Sequence, residues 1–195
     1  EVWDAGNDLL TRNIVFQKRF KDVGVMDKDE ALSWGWVGPC LRGSGVAYDV
    51  RKSHPYSGYE RYDFDVPVGT VGDCFDRYLV RMEEMRQSLR IVEQALAKLP
   101  KGPVITDDRQ VALPPKSEVY SNIESLMNHF KLVYDGILPP PGEVYGYTEG
   151  ANGELGFYIV SDGQKHPWRV KVRPPCYNIY QAYPHMIRGG MLADA

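Results

Sequence analysis

The sequence predicts an α+β protein, mainly α: a helical bundle with two long heptad-seamed helices that carries a small antiparallel β-sheet. Three observations predict it. An apolar seam from Val71 to Leu99 alternates steps of four and three residues without a break. A shorter seam of the same kind runs from Val119 to Val133. From 143 to 173 the periodicity drops to two, around glycine-rich turns.

The elements follow in chain order. Residues 7–20 (NDLLTRNIVFQKRF) mix apolar and charged positions as an amphipathic helix does. A second short helix is marked by Asp27, with Glu30 three residues on at capping-box spacing and Gly35 to end it. WVGPCLRGSG (36–45) is glycine-rich and reads as helix-breaking, and irregular chain is expected to continue to Pro67. So long an irregular stretch in a compact domain usually binds something, which makes 36–68 a candidate interface.

The first seam then places Val71, Phe75, Tyr78, Met82, Met85, Leu89, Val92, Leu96 and Leu99 along one helix, stopped by Pro100 and Gly102. At ~1.5 Å per residue it would be roughly 40 Å long. After Pro114-Pro115, Ser117 is the expected N-cap of the second seam (Val119, Ile123, Leu126, Phe130, Val133), and Gly136 ends it. Two such helices should pack antiparallel. EVYGYTE (143–149) and ELGFYIVS (154–161) flank Gly150-Ala151-Asn152-Gly153, a strong hairpin signal, and WRVKVR (168–173) supplies a third strand. Part of one domain is therefore expected over 1–195: helices at 1–36, a loop region at 37–70, the long helix pair at 71–136, the antiparallel sheet at 143–173, and the start of a C-terminal segment at 177–195.

Composition narrows the function classes. The 195 residues are 43% hydrophobic and 25% charged, enough for a genuine core, and a net charge of −3 gives nucleic-acid binding no support. No apolar run approaches the ~20 residues needed to span a bilayer, so membrane association is expected through partners. Cys40, Cys74 and Cys176 contain no CxxC pair and read as structural thiols in a reducing compartment, with no metal expected. His54, His129, His166 and His185 lack metal-ligand spacing. Ser44 is not a nucleophile elbow, because Arg42 stands in the place of the first glycine. There is no P-loop and no GxGxxG.

One concentration of charge remains. Arg42, Arg51, Lys52 and Arg61 alternate with Tyr48, Tyr56, Tyr59 and Tyr62, the composition of a protein interface. These four basic residues are the partner-interface candidates; a phosphate, a carboxylate-lined partner or a lipid headgroup also fits, as does a solvated loop. No residue qualifies as catalytic. On side-chain chemistry alone the chain is an interaction domain without an autonomous active site.

Six stretches carry a resemblance: GPCLRGSGVAYDVRKSHPY (38–56), DFDVPVGTVGDCFDRYLVRMEEMRQSLR (63–90), ESLMNHFKLV (124–133), GELGFYIVSDG (153–163), RVKVRPP (169–175) and GMLADA (190–195). In order and spacing they resemble the C-terminal half of the quinone-site subunit of respiratory complex I, which is related to the large subunit of nickel–iron hydrogenases. The resemblance implies a hydrogenase-large-subunit-like fold. It also implies a role in proton-pumping NADH:quinone oxidoreduction, the chain helping to form the quinone cavity with the small iron–sulfur subunit and being inactive alone. It implies no cofactor in this chain, with FMN, iron–sulfur clusters and quinone elsewhere in the complex. The implied partners are the small iron–sulfur subunit, a neighbouring C-type subunit and the membrane arm, at the cytoplasmic face of a bacterial inner membrane.

By the same resemblance, Val172, Arg173, Pro174 and Pro175 match the family's cavity-lining loop and form the expected quinone-cavity edge. The family's quinone-headgroup histidine and tyrosine belong to a half that would precede Glu1, and its terminal tail would follow Ala195. Gly190 stands where many relatives have histidine, and Asn152 where many have a basic residue; hydrogenases carry an arginine there near their metal. The competing expectations are the large subunit of a ferredoxin-linked, membrane-bound hydrogenase-like complex and a non-catalytic assembly module.

Overall fold

Asp27 opens a helix as its spacing predicts. In the computed structural model, which describes residues 2–194, its carboxylate accepts from the Glu30 amide at 2.7 Å and starts α3, Lys28–Ser33. Gly35, at φ +69, turns the chain out of it, a left-handed conformation that glycine adopts freely. Glu1 and Ala195, the outer ends of the expected first and last segments, lie outside the described residues.

The helix expected over 7–20 is broken. α1 spans Val2–Gly6 and runs on as one π-helical turn, Asn7–Thr11; α2 is Ile14–Phe20. Asn13 sits between them with extended backbone, its side chain accepting from the amides of Val15 and Phe16. A short amide side chain that satisfies the first free N–H groups of a helix favours a new start over continuation.

The largest correction concerns the expected loop region 37–70. Gly38–Gly43 is a helix, α4, and every residue in it is buried. Val50–Ser53 forms α5 behind the Asp49 cap, and Tyr59–Arg61 a 3₁₀ turn. The glycines pack here rather than break: a Cβ on Gly43 would lie 2.7 Å from Arg77 Cγ, and one on Gly38 only 2.3 Å from the Gly153 Cα. Met26, Ala31, Trp36, Cys40, Leu41 and Ala182 form the core around this helix.

α6 is Cys74–Ala97, 24 residues and ~36 Å long at ~1.5 Å per residue, begun by Asp73, which accepts from the Asp76 amide. Its seam is buried only in the first half. Phe75 and Met82 are buried, whereas Leu89, Val92, Leu96 and, just beyond the helix, Leu99 are exposed, Leu99 at 72%. The second seam is interrupted: α7 is Lys116–Ser121 and α8 is Ile123–Tyr134. Ser117 is inside α7, because the helix begins directly after Pro115; Asn122, extended at φ −132, caps α8 by accepting from the Glu124 amide. Gly136, at φ +71, ends it as expected.

The sheet forms where the alternation placed it: β1 Gly142–Gly150, β2 Gly153–Ser161 and β3 Arg169–Arg173, in the order β1-β2-β3 and antiparallel. α9, Pro175–Gln181, and α10, Tyr183–Met186, follow, and Leu192–Asp194 makes a last 3₁₀ turn. The chain divides into two compact units. One comprises Glu1–Leu99, Tyr147–Gly156 and Val172–Ala195; the other comprises Pro100–Gly146 and Phe157–Lys171. The pair expected over 71–136 is thus split, α6 belonging to the first unit and α8 to the second.

Among the described residues no helix is long and apolar enough to cross a membrane. The exposed Leu89, Val92, Leu96 and Leu99 nonetheless make a continuous apolar stripe. Purified alone, this chain is expected to self-associate, and a clean monomer by light scattering at micromolar concentration would contradict that.

Candidate functional site

β3 hands the chain directly to α9 through the expected cavity-edge residues. Val172 is 43% exposed near the end of the strand. Pro174 is extended at φ −82, ψ 136, and Pro175 occupies the first position of α9, buried, where a missing N–H costs nothing. Arg173 fastens the corner. Its guanidinium donates to the Glu154 carbonyl at 2.9 Å and to the Gly35 carbonyl at 3.2 Å, and Asn178 of α9 donates to the same Gly35 oxygen at 3.0 Å. The result is a rigid turn that presents an apolar side chain outward.

The four basic interface candidates separate. Arg42 is 1% exposed and cannot be an interface residue in this fold; its charge is consumed inside. It donates to Glu84 of α6 at 2.6 Å, to Glu149 of β1 at 2.9 Å and to the Tyr48 carbonyl at 2.8 Å, with the Asp49 carboxylate 3.8 Å away. Arg51 is half-buried, pairing with Asp49 at 2.6 Å and lying over the Phe64 ring. Lys52 is exposed and also lies over Phe64, with Nζ 4.3 Å from the centroid. Arg61 remains open at the surface. Only Lys52 and Arg61 keep the exposure an interface needs.

What sequence reasoning missed is the buried cluster itself. Arg42 and Arg51 face Asp49, Glu84 and Glu149, so two cations meet three carboxylates. Glu149 also accepts from the Val50 amide, and its own amide donates to Tyr56 Oη at 3.0 Å. Burial, with the Asp49 charge adding to it, pushes the Glu149 carboxyl up from 4.5 against the pull of Arg42. Burial also pushes Asp49 up, but hydrogen bonding and charge from Arg51, and charge from Arg42, outweigh it and hold Asp49 below 3.8. Beside them, burial and the hydrogen bond to Glu154 push Tyr48 up to about 12. No local signal reveals such a cluster, since the two carboxylates that Arg42 hydrogen-bonds, Glu84 and Glu149, lie 42 and 107 residues away.

The two shifts have opposite consequences. Asp49 stabilises the fold fully above 3.8, and that contribution is lost as pH falls through its lower folded value. Glu149 favours folding fully below 4.5, and that contribution is lost as pH rises through its higher folded value. Stability is therefore expected to rise as pH is lowered through the range just above 4.5. Glu149→Gln is expected to flatten that limb and leave the acid-side fall in place. Urea midpoints across a pH series measure both limbs, and an unaltered upper limb in the variant would contradict the assignment.

Among the described residues no group of three or more His, Cys, Asp and Glu side chains is placed to hold a metal ion. Cys40 is buried, Cys74 half-buried and Cys176 exposed, all three as free thiols.

Residues 1–195 match the model of a protein family described as the respiratory-chain NADH dehydrogenase, 49 kDa subunit. The chain is 55% identical over 191 residues to the NADH-quinone oxidoreductase D subunit of Myxococcus xanthus, covering 98% of this chain and 46% of that protein. It is 55% identical over 192 residues to the C/D subunit of Bdellovibrio bacteriovorus, covering 98% of this chain and 34% of that protein. To the D subunit of Leptospira biflexa it is 52% identical over 191 residues, 98% of this chain and 47% of the relative. The chain thus spans between a third and a half of the length of these curated relatives.

Proposed function

The chain belongs to the family of the 49 kDa subunit of respiratory-chain NADH dehydrogenase, and from that premise we propose that it serves in proton-pumping NADH:quinone oxidoreduction as part of the quinone-site subunit. It contributes scaffold and one edge of the quinone cavity, and holds no redox centre of its own. FMN and the iron–sulfur clusters belong to other subunits, and quinone enters the cavity as substrate. The rest of the cavity wall comes from the small iron–sulfur subunit, and the membrane arm takes up the conformational consequence of quinone reduction. A neighbouring C-type subunit is supported by the Bdellovibrio relative, whose name joins C and D in one protein. The complex sits at the cytoplasmic face of a bacterial inner membrane, this chain being peripheral through its partners. The fold is of hydrogenase large-subunit type, with Asn152 at the hairpin in place of that family's arginine. The relatives' names favour this reading over a ferredoxin-linked hydrogenase-like complex.

The observation that carries the cavity edge is the corner at Val172–Pro175. A flat quinone ring needs an apolar wall that does not yield, and an exposed valine on a turn bolted by Arg173 and stiffened by two prolines supplies one. Val172→Met in the intact complex is expected to fill part of that space. An inhibitor or quinone headgroup that loses ~1.4 kcal/mol of contact binds roughly tenfold more weakly. Titration of NADH:quinone reductase activity with quinone-site inhibitors, alongside the quinone KM, is the test. Inhibition and KM both identical to the parent would remove these residues from the cavity.

A further inference from the structure

Two of the three thiols share one cavity. Cys40, on α4, and Cys176, in the first turn of α9, both line a space of about 310 Å³ together with Arg81, Asn152, Tyr180 and Met186. A polar chain connects them: Arg81 Nη2 is 4.0 Å from Cys40 Sγ, Arg81 Nη1 is 3.3 Å from Asn152 Oδ1, and Asn152 Nδ2 donates to Cys176 Sγ at 3.2 Å. Cys176 is exposed, whereas Cys40 is buried. Cys176 reaches solvent with an amide donor on its sulfur, so of the two thiols it is the one a dissolved oxidant meets first.

We propose that Cys176 and Cys40 form an oxidisable pair, in which Cys176 takes oxygen from a hydroperoxide and Cys40 resolves the product to a disulfide. In the first step the Cys176 thiolate attacks the peroxide oxygen: an S–O bond forms, the O–O bond breaks, and the departing hydroxide takes a proton and leaves as water. Cys176 is thereby oxidised to a sulfenic acid and the peroxide is reduced. In the second step Cys40 attacks the Cys176 sulfur, the S–S bond forms, and the sulfenic hydroxide leaves as water with the proton of the Cys40 thiol. Burial pushes the Cys40 thiol up, which keeps it protonated and spares it direct oxidation. A disulfide holds its Cα atoms within about 4.4–6.8 Å, so the linked state fixes the first turn of α9 against α4.

The test uses the assembled complex in native membranes, treated with dilute hydrogen peroxide, blocked with N-ethylmaleimide and mapped as unreduced peptides. The expected product is a Cys40–Cys176 linked peptide that dithiothreitol releases, with Cys74, which faces another cavity, still a thiol. In Cys40→Ser, dimedone is expected to trap a sulfenic acid on Cys176; in Cys176→Ser, Cys40 is expected to stay unmodified. The pair is overturned if parent Cys176 stays a thiol or passes to sulfinic acid without linkage, or if Cys40 is oxidised in Cys176→Ser.

Discussion

Arg42→Ala is expected to cost about 3–5 kcal/mol and to prevent assembly of the mature subunit, because it strands buried carboxylates without their cation. Glu149 and Asp49 have almost no access to water, and Glu84 little. A protein of this size is stable by roughly 5–15 kcal/mol in total, so the loss removes a large part of it. Arg42→Lys is expected to recover only a fraction. The guanidinium uses Nε on Glu84 and Nη1 on both Glu149 and the Tyr48 carbonyl, a fork that one ammonium cannot reproduce. Urea midpoints of the purified protein and immunoblots of the assembled complex measure the effect. An Arg42→Ala complex of parental abundance and midpoint would show that the cluster is not structurally required.

Gly38→Ala should be nearly as severe, for a reason unrelated to charge. Gly38 sits at φ +67, where a side chain costs roughly 1–2 kcal/mol. Its new Cβ would stand 2.3 Å from the Gly153 Cα and 2.6 Å from the Gly153 nitrogen, and backbone cannot step aside as a flexible side chain does. Overpacking of this kind adds about 1–3 kcal/mol. Gly153→Ala meets the same contact from the other side, its Cβ falling 2.6 Å from Val37 Cγ2 at φ +124. Gly146→Ala is the control, because nothing lies within 4 Å of its Cβ position. If Gly38→Ala unfolds no earlier in urea than Gly146→Ala, the α4–hairpin contact is not the constraint described.

These two glycines also mark where the sequence is readable and where it is not. The strands were legible because period-two alternation and turn residues are local properties, and the Asp27 helix because its cap and its stop lie within nine residues of each other. α4 was not legible. GPCLRGSG has the composition of a turn, and its Gly38 and Gly43 serve packing: the 153 backbone and Arg77 stand where a Cβ would not fit. Arg42 misled for the same reason: a charged residue in a glycine-rich stretch reads as surface unless its distant acceptors are known. Along α6, periodicity says which face is apolar and not how far along it a neighbour reaches. Asn122 carries no sequence signal of a break, because the apolar spacing continues across it. For the expected cavity edge, family likeness points to Val172 to Pro175, but the bolt from Arg173 to Gly35 joins positions 138 residues apart and has no local signal.

That separation has a temporal side. Arg42 leaves the ribosome 107 residues ahead of Glu149, which at ~5–20 residues per second is a wait of roughly 5–20 s. During it the nascent chain already holds the sequences of α4 and α6 but not the hairpin that closes over them, and the 100–146 part of the second unit must be synthesised first. Closing so long a loop is slow compared with forming a helix. The first unit therefore stays open until its later segments, 147–156 and those from Val172 onward, have emerged, and its unfinished face is uncovered for that time.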